Sequence, residues 1–116
     1  MTASGLGHIA VPTPGTPVLL SAVLTALGLD PETRVTRVYI TPLGGNAGKT
    51  YVGAVGMSKS TGVGVLKQMQ IPPATGINDT FILEAAGGGT NLIRLASLAL
   101  DADTANDKLT IGYVQG

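Results

Sequence analysis

The sequence predicts an all-β fold, an antiparallel β-sandwich of jelly-roll type, and three observations lead there. Short runs of β-branched and aromatic residues recur, separated by turn chemistry every 8–15 residues. No strand–helix–strand rhythm appears. Glycine is abundant at 17 residues and proline adds 7, so turn residues are plentiful.

The elements follow in chain order. Residues 1–17 read as an N-terminal arm and a proline-rich segment, and residues 18–116 as one β-sandwich domain. Within the first part, 1–7 are small residues suited to a flexible arm. His8 to Val11 is a short apolar piece able to pair at a sheet edge. Pro12 to Pro17 holds three prolines and a glycine in six residues and breaks regular structure. Residues 18–28 admit one short helix. Thr16 suits its N-cap, Pro17 its first position and Gly28 its end, and Leu20, Val23, Leu24 and Leu27 share a helical face. The rival reading is a strand over Val18–Ser21 followed by a loop.

Asp30 to Thr33 is a turn. Arg34 to Thr41 is a strand, β-branched and aromatic apart from Thr36 and Arg37. Lys49 to Met57 is a second strand, joined to the first by a hairpin turn at Gly44–Gly48. Ser58 to Gly62 is a turn and Val63 to Met69 a third strand. Ile71 to Asp79 is a loop, Thr80 to Ala85 a strand, and Ala86 to Thr90 a turn. Asn91 to Ala102 has helical propensity, yet Leu92, Arg94, Ala96, Leu98 and Leu100 alternate with Ile93, Leu95, Ser97 and Ala99, which favours strand. Asp101 to Asp107 is then a hairpin loop. Lys108 to Gln115 is the last strand, with Leu109, Ile111 and Tyr113 on one face.

Composition narrows function. Seven Lys+Arg balance seven Asp+Glu, so no basic face is offered to nucleic acid. The chain has no cysteine, which removes thiol chemistry and Cys-type zinc sites. One histidine, His8, is too few for a His-rich metal site. Charged residues are 12% against 44% hydrophobic, a balance that favours covering surface with copies of the chain or a larger partner. The longest apolar stretch, Val18 to Leu29, is interrupted by Ser21, Thr25 and Gly28 and falls short of the roughly 20 residues a spanning helix needs. The N-terminus shows no basic region followed by an apolar core, so no signal peptide is expected and synthesis is placed in a cytoplasm.

Several residues invite sharper chemistry. Thr41 to Gly53 nearly spells a phosphate-binding loop, with Gly48, Lys49 and Thr50 in place. The first glycine of that motif is replaced by Leu43, and a strand, not a helix, follows. The reading is a polar hairpin turn. His8 lacks a Gly-x-Ser-x-Gly elbow to work with, and it reads as a polar edge residue. Asp101, Asp103, Asn106 and Asp107 suggest calcium, but the loop lacks the mid-loop glycine and distal glutamate of an EF-hand. They read as turn formers. Asn78 to Thr80 spells a glycosylation sequon, which matters only on a secretory route. Arg34 and Arg37 flank or occupy a strand, and Arg94, inside an apolar one, needs a carboxylate or an exposed face; Glu84 is the nearest candidate by strand type, and a solvent-facing strand residue is the favoured reading. The apolar loop Gln70 to Ile77 is the best candidate contact surface, because a Pro-Pro segment docks at little entropic cost; the equal alternative is a loop that covers the end of the chain's own core.

Three pieces carry a family resemblance. They are Pro14 to Ser21, then Val35 to Ile40 with Asn46 to Gly53, then Leu95 to Val114. On these the chain resembles small β-sandwich proteins of bacteriophage virions, of the capsid decoration or cement type. Residues 22–33 are longer and more apolar than that pattern, and residues 70–79 have no counterpart in it. The resemblance implies a structural protein of the capsid surface, without enzymatic activity or cofactor. It would form a homo-oligomer, a trimer favoured, and bind the major capsid protein. A tail- or fibre-associated or carbohydrate-binding virion module is the alternative. Partner-contact residues on this reading are Ile71, Pro72, Pro73, Ile77, Arg37 and Arg94.

Overall fold

In the computed structural model, residues 2–72, 79–85 and 92–116 are described. Apolar alternation sorts most of them into two antiparallel sheets. The strands are β1 (Thr2–Val11), β2 (Val18–Leu19), β3 (Arg34–Val35), β4 (Arg37–Pro42), β5 (Thr50–Ala54), β6 (Val65–Met69), β7 (Phe81–Glu84), β8 (Ile93–Arg94), β9 (Leu98–Ala102) and β10 (Asp107–Gln115). One sheet has the order β1-β10-β4-β7 and the other β2-β9-β5-β6, while β3 and β8 form a small separate ladder. The fold is all-β, as expected.

The core lies between the two sheets. Val38 and Ile40 of β4 and Leu109, Ile111 and Tyr113 of β10 meet Val52 of β5, Met69 of β6 and Leu100 and Ala102 of β9 in one cluster. In β10 the period of two is clean, with Asp107, Leu109, Ile111 and Tyr113 buried and the residues between them more exposed.

Residues 18–28 combine the two rival readings. Val18–Leu19 is a two-residue strand on β9, and helix α1 (Leu20–Ala26) follows at once. The cap therefore falls on Leu19, with no side-chain cap, and not on Thr16. Pairing with β9 holds residues 18–19 extended, which shifts the helix start downstream. Its end matches the expectation. Gly28 takes φ +75°, its N–H donates to Thr25 O, and Leu29 N–H donates to Leu24 O. These are the paired bonds of a Schellman cap.

Residues 2–7, expected as an arm, are strand. All of Thr2–Val11 pairs antiparallel with β10, with a bulge between Gly5 and Gly7. The bulge aims Leu6 into the core, and Gly7 supplies the φ of +82° that it needs. Asn91–Ala102 is also not one strand. A single 3-10 turn at Leu95–Ser97 interrupts it, and Leu95 plugs the core beneath α1. Residue 91 lies outside the described residues.

Two expected hairpins are corrected. The segment after β4 does not turn back beside it, because β4 and β5 belong to different sheets. The 103–106 connection likewise carries the chain from β9 in one sheet to β10 in the other. Turn chemistry marks where the chain bends, but the choice of pairing partner is made by the apolar faces. A sandwich also needs connections that cross from sheet to sheet.

Candidate functional site

The sheet-to-sheet connections 12–17, 43–49 and 103–106 gather at one end of the sandwich, where they are tied by carboxylates and backbone. The phosphate-loop look-alike lies here. Ala47 N–H and Gly48 N–H donate to the two carboxylate oxygens of Asp107, at 3.0 and 2.9 Å. Asp107 is buried, so the cradle of N–H groups that could have received an anion already holds one of the chain's own. Asn46 completes the lock. Its amide donates to Lys108 O, and its carbonyl accepts from Lys108 N–H. Gly48 is closely packed, since a Cβ there would sit 2.5 Å from Thr104 Oγ1, which would have to turn aside.

The other acids of this loop are separately engaged. Asp101 is fully buried, and one of its oxygens accepts from Gly15 N–H and from Ala102 N–H. Its second oxygen has no partner among the described residues. Asp103 accepts from the Tyr51 hydroxyl at 2.9 Å and from Lys59 Nζ at 3.0 Å. Burial raises the Tyr51 phenol to about 12, helped by the hydrogen bond to Asp103 and by the charges of Asp103 and Asp101. For Asp103, burial opposes the charged form. Hydrogen bonds from Lys59 and Tyr51, with the charges of Lys59 and Lys49, outweigh it and hold the carboxyl below its ordinary value. The calcium suggestion thus finds its acids on three separate sets of partners. Among the described residues no group of three His, Cys, Asp or Glu side chains could hold a metal ion.

His8 lies on the outer face of its sheet, where Nδ1 is 2.9 Å from Thr110 Oγ1. Arg37 meets Glu84, its cross-strand neighbour on β7, and also donates to the Tyr39 hydroxyl. Glu84 is therefore the partner of Arg37. Arg94 instead bonds Glu32, at 3.1 Å.

The described ones among the expected contact residues lie toward two different poles. Ile71 is exposed and Pro72 buried, just past the β6 end at the crossing-loop pole. Pro73 and Ile77 lie outside the described residues, as does the sequon residue Asn78. Arg37 and Arg94 sit toward the opposite pole, on the β4 end beside Glu84 and on β8.

Sequence reading missed the apolar surface of that opposite pole. Leu27, Leu29, Val55 and Leu92 are 50%, 39%, 55% and 58% exposed. They sit on segments joined there by Leu95 N–H to Thr33 O and Val55 N–H to Ser97 O. Residues remote in sequence compose this surface, so no local pattern announces it. Among the described residues no helix is long and apolar enough to cross a membrane. Compared with family models, with curated proteins and with solved structures, the chain matches none.

Proposed function

We propose that this chain is a structural protein of a bacteriophage virion, a decoration protein that coats the capsid as a symmetric homo-oligomer and strengthens it. The observation that carries the reading is the large apolar side chains left exposed on a chain with little charge: Leu27, Leu29, Val55 and Leu92 toward one pole, and Val63, Leu66, Ile71 and Ile82 elsewhere. At the crossing-loop pole, the Asp103 and Asp107 carboxylates and the Asn46 amide are spent on internal bonds. Such a molecule suits stable burial against neighbours better than turnover of a small substrate.

The strand order supports the same reading. With the β3–β8 ladder set aside, β1-β10-β4-β7 facing β2-β9-β5-β6 is the order of an eight-stranded jelly roll, an architecture recurrent in viral shells. The carbohydrate-binding alternative calls for exposed rings. Tyr51, Tyr113 and Phe81 are buried, and Tyr39 is half-buried with its hydroxyl held by Arg37.

The mechanism is passive. Copies bury apolar area across capsomer boundaries, so separating capsomers exposes that area again at about 25 cal/mol per Å². The test mixes the purified chain, at about 10 µM, with shells assembled from the major capsid protein of the virus that encodes it. Co-sedimentation and a raised shell-rupture temperature are expected. A chain left in the supernatant, with rupture unchanged, overturns the reading.

A further inference from the structure

The two sheets have four edges, and three of them are blunted. β2 is only two residues long and follows Pro17. β7 has four residues and ends in Glu84, which is bound to Arg37. β6 carries Lys67, paired with Asp79. Short length and charge are devices by which sheets avoid adding strands. The fourth edge, β1, is different. It runs ten residues, Thr2–Val11, and contains no charged residue and no proline. Thr2, Ala3, Ser4, Gly5, Gly7 and His8 are exposed. Half of the backbone N–H and C=O groups of an edge strand point away from its sheet.

We propose that β1 is a self-pairing edge: it adds antiparallel to β1 of a second copy and joins two four-stranded sheets into one across a two-fold axis. The inference rests on the self-association reading above and gives it a definite geometry, two-fold where the sequence expectation favoured a trimer.

Charge and shape select this occupant. An antiparallel strand placed against its own copy satisfies the same edge on both chains at once, which closes the assembly as a dimer. Like charges opposite one another would oppose that pairing, and β1 has none to oppose. Ala3, Ser4, Gly5 and Ala10 are small, so a second backbone can approach without displacing side chains. The bulge between Gly5 and Gly7 divides the edge into two regular runs, 2–5 and 7–11.

The test uses the full chain and two variants, Ala3→Lys and Ala10→Lys, one in each run, with Ser60→Lys on the exposed 58–62 turn as control. Light scattering from about 1 to 100 µM reads the mass, and circular dichroism checks that each variant is folded. The expected result is a mass of twice 11.6 kDa for the parent chain. At least one lysine in β1 should raise the concentration for half-dimerisation by about tenfold or more, and Ser60→Lys should leave it unchanged. Hydrogen exchange gives a second readout that needs no variant: β1 amides should slow as the parent chain dimerises. A dimer or trimer indifferent to both lysines, with β1 amides still fast, overturns the proposal. So does a monomer across the range. If that monomer co-sediments with shells and its β1 amides slow there, the edge takes a strand of another protein and the decoration reading stands alone. A β1-paired dimer that ignores shells gives the reverse outcome.

Discussion

Replacing Asp107 with alanine removes the acceptor for Ala47 and Gly48 N–H and leaves a buried donor unpaired. A loss of about 2–3 kcal/mol is expected from urea unfolding, with Asp107→Asn losing less because one acceptor oxygen remains. Gly53 also tolerates little change, since a Cβ there would lie 2.5 Å from Gly64 O and 2.9 Å from Met57 Sδ. Backbone cannot step aside as a side-chain tip can, so Gly53→Ala should cost about 1–3 kcal/mol in the same measurement. Titration makes a further prediction at this scale. Asp103 is held below its ordinary value, so its contribution to stability is complete above about pH 4 and is lost as pH falls through the lower folded value. Tyr51 is raised, so its contribution is complete below pH 10 and is lost as pH climbs from there toward about 12. Absorbance titration should find one of the three tyrosines ionising near the top of that range. In Asp103→Asn that tyrosine should ionise at lower pH, and the acid-side loss seen in urea midpoints should shrink.

At the scale of elements, two of the glycines with positive φ sit where an element ends or bulges. Gly28 closes α1 at φ +75°, and Gly7 sits in the β1 bulge at φ +82°, each with open space where a Cβ would stand. Substitution at either therefore tests backbone strain without steric clash. Gly28→Ala and Gly7→Ala should each lose about 1–2 kcal/mol by thermal or urea unfolding. Much at this scale is legible in the sequence. Val38, Ile40, Leu109, Ile111 and Tyr113 announce their strands by alternation, and Gly28 announces the helix end. The helix start is not legible, because Thr16 and Pro17 carry the local signals of a cap while β9 holds Val18 and Leu19 extended. Leu95 misleads for a similar reason. Its place in a strand-like alternation hides a 3-10 turn that drops it into the core under α1.

For the whole molecule, the pattern of sheet edges and the apolar pole point the same way, toward burial against other chains. The expected outcome is a chain that self-associates, and light scattering at several concentrations reads it directly. The placement of the proposed contact residues is not legible in the sequence: Ile71 is exposed, Pro72 is buried, and Arg37 and Arg94 are held by Glu84 and Glu32 far from that loop. Leu27, Leu29, Val55 and Leu92 give no signal of a shared location in the sequence, since they lie on three segments far apart along the chain.

Alternation, turn chemistry and composition act locally or by simple sum, and they suffice for the all-β class, the place of most strands and the low charge. Which strands pair, the crossing of the 43–49 and 103–106 segments between sheets, and the filling of the glycine loop's N–H cradle by Asp107 belong to the folded molecule. So does the place of Thr2–Gly5 in an edge strand. These depend on side chains and backbone groups distant in sequence finding one another, and a reading of one segment at a time carries no record of that choice.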